Sequence, residues 1–262
     1  MHAANRQAWD EAAERYEGWL DEAIVLIRSG GTNLLAPELE LLGDLHGCRR
    51  AIHLQCAGGR DTLSLWNLGA VEVIGVDFSP RMLELAARLT TATGAPARWI
   101  EADILDVPAE LNGTADLVYT GRGSLLWLAD LDGWAATVGR LLAPDGRFVL
   151  FEGHPAEWLF DVDADGHWFL TDYDYFAGAE ASKGWAPEYI DRLSVPDADQ
   201  SWKFARAWTL GEILTALLGA GLRLERVSEH PTDWWGGHGD VAPEERGRVP
   251  LSFSVLARPP LR

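Results

Sequence analysis

Two segments of the chain combine small residues with a carboxylate at a spacing that suits nucleotide binding. The first, HLQCAGGRDTLSL, is an apolar run that passes through Cys56, Ala57, Gly58 and Gly59 into a helical pattern. Such a turn presents backbone N–H groups and a helix N-terminus to a ligand. Eighteen residues after Gly59, Asp77 ends a second apolar run. Its ionised carboxylate can accept hydrogen bonds from two ribose hydroxyls.

The glycine spacing separates this turn from the usual dinucleotide fingerprint. That fingerprint needs the pattern G-x-G-x-x-G, and here only Gly58 and Gly59 are available. A nicotinamide-dependent oxidoreductase is therefore disfavoured. The two glycines could also form a plain tight turn in another kind of α/β protein.

Alternating apolar runs and amphipathic stretches predict the scaffold that positions these residues. The predicted strands are 50–56, 71–77, 97–103, 115–120, 147–152, 222–229 and 248–259, and the predicted helices are 60–70, 79–94, 131–144 and 209–222. This rhythm is typical of parallel sheets. We predict an α/β fold with a Rossmann-like, doubly wound, mostly parallel seven-stranded sheet. Local sequence pattern gives least support to the assignment of the last two strands to this sheet.

The stretch after the fifth strand departs from this rhythm. It contains eleven aromatic residues, and between 155 and 200 it has eleven acidic but two basic residues. We predict an inserted, aromatic-rich cap. The expected organisation is an N-terminal helical segment (1–47), the Rossmann-like core (48–154), the cap or acceptor-binding segment (155–205), and a C-terminal part that completes the sheet (206–262).

Composition limits the possible partners. The 262 residues include 40 acidic and 22 basic side chains, a net charge of −18, without a Lys/Arg cluster that could replace the counterions of a polyanion. We therefore predict no nucleic-acid and no membrane partner. Cys48 and Cys56 are too few for a disulfide framework or a cysteine metal site, and free thiols indicate a reducing, cytoplasmic location. Oligomeric state stays open.

The motifs taken together resemble the class I S-adenosylmethionine-dependent methyltransferases, in particular a bacterial subgroup with an HLQC first strand. The resemblance covers most of the chain and includes GVDFSP, EADI, DLVYTGRGSLLWL, RLLAPDGRFVLFEGHP and the closing helix and strands. The common first motif has an acidic residue at position 53 and glycines at 55 and 57. This chain has His53, Gln55 and Ala57 there.

The resemblance implies a set of contacts to the cofactor S-adenosyl-L-methionine. The turn of Gln55, Cys56, Ala57, Gly58 and Gly59 would face the methionine part, and Asp77 would bind the ribose. The adenine would contact Phe78, Met82, Asp103 and Ile104, and the methyl group would lie near Thr120 and Gly121, which follow strand four. The N-terminal segment would cover the cofactor site, which Tyr16 closes. Asp103 could instead cap a turn, Met82 and Ile104 could be core residues, and Tyr16 with Trp9 could be a packing stripe.

Methyl transfer from a sulfonium is an in-line displacement that needs alignment and exclusion of water. His154, after the fifth strand, is the candidate for a base or a substrate-orienting hydrogen bond, or else a polar loop residue. We predict no metal, because the histidines lack ligand spacing. Rings among carboxylates in the cap favour a small aromatic or amine-bearing acceptor, methylated on N or O, or else the rings form the core of the cap and the acids its solvated face. A methyltransferase-like binding or regulatory protein without turnover is the alternative.

Overall fold

A computed structural model of the chain describes residues 1–186, 189–190, 193–239 and 241–261. The helices are α1 (His2–Gly18), α2 (Leu20–Arg28), α3 (Ala36–Leu42), α4 (Arg60–Asn67), α5 (Pro80–Thr93), α6 (Leu131–Leu141) and α7 (Leu210–Gly219). The strands are β1 (Arg50–Leu54), β2 (Glu72–Asp77), β3 (Ala97–Glu101), β4 (Ala115–Gly121), β5 (Leu142–Gly153), β6 (Phe160–Val162), β7 (Trp168–Leu170), β8 (Glu180–Ser182), β9 (Lys203–Ala205), β10 (Arg223–His230) and β11 (Ser252–Arg258).

Seven strands form the central sheet in the order β10-β11-β5-β4-β1-β2-β3. The pairs from β5 to β3 are parallel, whereas β11 runs antiparallel to both β5 and β10. This confirms the predicted doubly wound fold and places the last two predicted strands in the same sheet. The chain leaves β1 toward β2 on one side and reaches β4 on the other, so the order reverses between β1 and β4. Ligands of such sheets bind at this switch point.

Helices cover both faces of the sheet because its strands are apolar on both sides. One face packs on α6 and α7, where Trp134 is fully buried with its ring 5.7 Å from that of Phe148. The other face packs on α2 to α5 through residues such as Leu42, Leu63 and Leu89. Two hydrophobic cores therefore fix the strand ends that carry the polar residues.

Helix α5 begins and ends as its sequence predicts. The hydroxyl of Ser79 accepts a hydrogen bond from the Met82 N–H, Pro80 occupies the first turn, and Gly94 ends the helix with φ of 72°. Ser79 is completely buried, and its hydroxyl also donates to the Asp10 carboxylate at 2.6 Å. The cap of α5 therefore also anchors α1.

Helix α1 lies between α5 and the segment inserted after β5. On one side Arg6 pairs with Glu101 at 2.6 Å and Asp10 accepts from Ser79. On the other side the Asn5 carboxamide exchanges two hydrogen bonds with the backbone of Phe204 in β9, which pairs with β8. The helix is held on both sides, and its position determines what can reach the carboxyl edge of the sheet.

Replacing Ser79 by alanine should lower the free energy of unfolding by about 1 to 2 kcal/mol, since both the helix cap and the bond to Asp10 are lost. Urea denaturation measures this change. The matched control is Ser29→Ala, because Ser29 is exposed and its hydroxyl bonds one carbonyl, that of Leu26. Equal losses in the two variants would contradict the role assigned to Ser79.

Candidate cofactor site

A cavity of about 300 Å³ opens at the carboxyl ends of β1, β2 and β4. It lies at the reversal of strand order, where the fold predicts a ligand. Its walls come from α1, the turn after β1, the start of α4, the end of β2, the loop after β4, Tyr189 and Trp235. Nine of the thirteen residues predicted to contact the cofactor line it: Tyr16, Gln55, Cys56, Ala57, Gly58, Gly59, Asp77, Phe78 and Gly121.

The turn after β1 adopts a glycine-like backbone although two of its positions are not glycine. Gln55 has φ of 59°, Ala57 has φ of 44° and Gly59 has φ of 80°. A Cβ on Gly59 would lie 2.5 Å from the Trp99 ring, so that position requires glycine. The departures from the family motif at 55 and 57 therefore keep the backbone path at the expense of strain, since left-handed conformations are unfavourable for residues with a Cβ.

Asp77 lies at the end of β2 and is nearly buried, with 6% of its surface exposed. One carboxylate oxygen accepts from the Ala57 N–H at 2.8 Å, and the other accepts from the Ser79 N–H at 2.9 Å. Burial raises the pKa of Asp77 to about 6, although these N–H groups oppose the shift. Each oxygen keeps a second lone pair for a ligand hydroxyl.

The predicted adenine contacts are divided by the structure. Phe78 lines the cavity, but Met82 is fully buried beneath α1 and Ile104 belongs to the main core. The Asp103 carboxylate contacts the His2 ring and caps the turn that follows it through the Leu105 N–H at 3.0 Å. In this structure α1 covers the position where Asp103 would meet a ligand, so its role toward adenine, like those of Met82 and Ile104, stays a prediction.

Two residues predicted near the methyl group also lie outside the cavity lining. Thr120 is fully buried, whereas the next residue, Gly121, lines the cavity. Successive residues of a strand such as β4 face opposite sides of the sheet, which explains the difference. His154 is 4% exposed, and its Nε2 lies 2.9 Å from the Glu229 carboxylate on β10. Its Nδ1 accepts from the Ala156 N–H, and burial lowers its pKa. His154 thus joins β5 to β10, and no cavity contact supports it as a base.

Aromatic residues form one wall of the cavity. Trp9 of α1 packs edge-on against Trp127 at 5.4 Å and Trp185 at 5.1 Å, and the Tyr189 ring stacks on Trp127 at 6.4 Å. From the inserted segment, Tyr189 lines the cavity, and Trp185 stands behind it. Other rings of that segment point outward, with Trp158, Phe169, Phe176 and Trp202 exposed. The predicted acceptor segment thus contributes much less to the site than its composition suggests.

Trp235 completes the wall from the loop between β10 and β11. Its ring stacks on the buried Phe151 at 5.7 Å. The Asp233 carboxylate accepts hydrogen bonds from the backbone N–H groups of residues 235 to 238 and so shapes the loop. The ring therefore both lines the cavity and packs on the sheet.

Charged residues that the sequence did not single out also line the cavity. Arg122, with φ of 68°, donates from Nη1 to the Asp61 carboxylate and to the Asn33 carbonyl, both at 3.0 Å. Behind them Glu38 is fully buried and accepts from the Tyr119 hydroxyl. The charges were visible in the segments GGRD and TGRG, but their pairing needs the contact between α4 and the loop after β4.

Comparison with known proteins places this site in a family context. The profile of a family described as "Methyltransferase domain" matches residues 51–146. The chain is 33% identical over 141 residues to a demethylmenaquinone methyltransferase of Thermus thermophilus, covering 46% of this chain and 63% of that protein. A protein of the same name from Deinococcus radiodurans is 33% identical over 117 residues, 44% of this chain and 48% of the relative. The chain thus spans about half to two thirds of these relatives.

Solved structures cover more of the chain. An S-adenosylmethionine-dependent methyltransferase from Mesorhizobium loti is 25% identical with a TM-score of 0.60, covering 85% of this chain and 96% of that one. A second, described as a putative S-adenosylmethionine-dependent methyltransferase from Listeria monocytogenes, shares the fold at 22% identity and a TM-score of 0.60, with 86% and 97% covered.

The sheet order and the cavity at its switch point define a Rossmann-like nucleotide-binding protein. Within that class, residues 51–146 match the methyltransferase-domain family, and the structure is similar to that of an S-adenosylmethionine-dependent methyltransferase, so the comparisons confirm the resemblance.

Ala57→Gly should raise the free energy of unfolding by about 1 kcal/mol, because glycine adopts the left-handed conformation without strain. Thermal or urea denaturation measures the effect. Ala95→Gly serves as the control, since Ala95 is buried and its backbone lies outside the left-handed region. Glycine there should lower the free energy of unfolding by up to about 1 kcal/mol, because it increases the conformational entropy of the unfolded chain. A loss of stability in Ala57→Gly comparable to the control would show that residue 57 is not strained.

Proposed function

We propose that the chain is an S-adenosylmethionine-dependent methyltransferase that transfers a methyl group to N or O of a small aromatic or amine-bearing molecule. The observation that carries the proposal is the Asp77 carboxylate at the switch point, beside a glycine-like turn that opens a helix. The matching domain family supports the reaction class. The non-dinucleotide glycine spacing argues against a nicotinamide-dependent oxidoreductase.

The residues of the cavity fit the cofactor. Asp77 would hold the ribose through its free lone pairs, Phe78 would pack beside the adenine, and the turn from Gln55 to Gly59 would face the methionine part. The Gln55 Oε1 atom is buried and lacks a hydrogen-bond partner among the described residues, so the protein holds an acceptor ready for a ligand donor. Bound S-adenosylmethionine supplies an electrophilic methyl group on a sulfonium.

The chain's own contribution to the reaction is alignment and exclusion of water. Tyr16 packs against the turn, since a Cβ on Gly58 would lie 3.2 Å from its ring, and α1 closes the cavity on that side. The aromatic wall of Trp9, Trp127, Tyr189 and Trp235 would hold a planar acceptor by stacking. An amine acceptor can attack once neutral, so the wall alone can serve such an acceptor without a protein base.

The nature of the acceptor follows from the chemistry of this wall. Among the described residues that form this wall, none is basic; Lys203 lies over the outer ring Trp185 at 4.7 Å. The curated relatives are named for a quinone-type substrate, which agrees with an aromatic acceptor.

Within the described residues no helix is long and apolar enough to cross a membrane. We keep the prediction of a cytoplasmic enzyme that binds no nucleic acid.

The pKa of about 6 for Asp77 predicts how cofactor binding depends on pH. Ribose hydroxyls donate to the ionised carboxylate, so binding lowers this pKa and releases a proton when the pH is below it. The calorimetric affinity for S-adenosylhomocysteine should be constant above about pH 7 and fall up to about tenfold per unit below about pH 6.

The matched control for this experiment is Asp77→Asn, which should bind roughly tenfold or more weakly and lose the pH dependence. A wild-type affinity that stays flat from about pH 5 to about pH 7 would contradict ribose binding by Asp77. Titration with NADH under the same conditions separates the oxidoreductase alternative, because that alternative requires NADH to bind in preference.

The aromatic wall also predicts acceptor selectivity. In a panel of matched aromatic acceptors, a neutral amine or phenol should react roughly tenfold faster than its sulfonated counterpart at equal concentration, and the ratio should shrink at high salt. Production of S-adenosylhomocysteine is the readout. Faster turnover of the sulfonated member of the pair would overturn this assignment of the wall.

A further inference from the structure

One end of the cavity carries unsatisfied polar atoms of both signs. We call Gln55, Asp61 and Arg122 the polar end; all three line the cavity. The Gln55 amide is oriented by its Nε2, which donates to the Ser124 carbonyl at 2.8 Å, while its Oε1 is buried without a partner among the described residues. A buried acceptor of this kind is costly unless a ligand donor satisfies it.

Arg122 and Asp61 each use part of their hydrogen-bonding capacity on each other. The Arg122 Nη1 and the Asp61 Oδ1 form the pair at 3.0 Å, with 17% and 20% of the side chains exposed. In the described part of the chain, Arg122 Nη2 and Asp61 Oδ2 have no hydrogen-bond partner. The pair therefore presents one cationic donor and one anionic acceptor to the cavity.

Position 53 cannot supply the negative charge that the common motif places there. His53 is 3% exposed, and its Nδ1 lies 2.8 Å from the Thr62 hydroxyl. Burial lowers its pKa to about 4, so it is neutral. Burial alone would raise the pKa of Asp61, but Arg122 and the hydrogen bond from Asn33 hold it below its usual value. The ionised carboxylate of the polar end is therefore Asp61.

We propose that the polar end binds the amino-acid group of the cofactor, with Asp61 and the Gln55 Oε1 accepting from its α-ammonium and Arg122 donating to its α-carboxylate. This inference rests on the proposed function. A zwitterion carries one charge of each sign, and the polar end offers one matching charge for each. In this chain an ion pair and an amide thus take the place of the motif's acid and glycine.

The test is calorimetric binding of three ligands that share the adenosyl thioether. S-adenosylhomocysteine carries both charged groups, its decarboxylated analogue carries the amine alone, and 5′-methylthioadenosine carries neither. Asp61→Asn should lower the affinity for the first two ligands about tenfold and change the affinity for the third by less than about twofold. Arg122→Lys keeps the charge but loses the planar guanidinium. It should lower the affinity for S-adenosylhomocysteine alone, by about tenfold.

Asp116→Asn is the matched control. Asp116 lies at the opposite end of β4, where it accepts from the Arg49 and Arg50 N–H groups, so all three affinities should stay unchanged in this variant. Circular dichroism establishes that each variant is folded. A result from either Asp61→Asn or Arg122→Lys, if folded, is enough to test whether the polar end binds the amino-acid group. Equal weakening of all three ligands, or no weakening, would overturn the inference. Failure of the wild type to bind any of them would instead overturn the proposed function.

Discussion

The buried carboxylate of Asp77 joins the segments that form the cavity. It accepts from Ala57 in the turn after β1 and from Ser79 at the start of α5, and Ser79 in turn donates to Asp10 of α1. Three segments distant in sequence thus depend on one side chain at the end of β2. Burying a carboxylate is costly, and the backbone N–H donors offset part of that cost. The remaining lone pairs of the carboxylate make it a strong acceptor for a ligand donor.

The residues that line the cavity fall into two chemical groups. The first group is Gln55, Asp61 and Arg122, which carry polar atoms left without partners among the described residues. The second group is the rings of Trp9, Trp127, Tyr189 and Trp235. A charged, hydrogen-bonded end suits a cofactor, and an apolar, flat end suits an aromatic acceptor.

Features encoded by local sequence were predictable, and features that depend on distant packing were not. The strands, the cap of α5 and the turn before α4 follow from periodicity and from single residues such as Ser79 and Gly59. Asp103 faces His2, whose position depends on how α1 packs across the sheet edge. His154 meets Glu229 because β10 lies beyond β11, a pairing that local pattern cannot show.

The inserted segment illustrates the same limit. Its many rings predicted an acceptor pocket, yet the structure turns Trp158, Phe169, Phe176 and Trp202 outward and brings Tyr189 to the cavity. Trp235 reaches the cavity from a loop far along the chain, held by Asp233 and stacked on Phe151. Aromatic composition alone does not determine which rings face a ligand, because that depends on the path of the backbone.

A crystal structure with S-adenosylhomocysteine tests whether Asp77 holds the ribose of the cofactor. We expect the ribose hydroxyls to lie within hydrogen-bond distance of the Asp77 carboxylate and the sulfur to point toward the aromatic wall. Density for the ligand elsewhere on the sheet, or a ribose without contact to Asp77 in a fully occupied site, would contradict it.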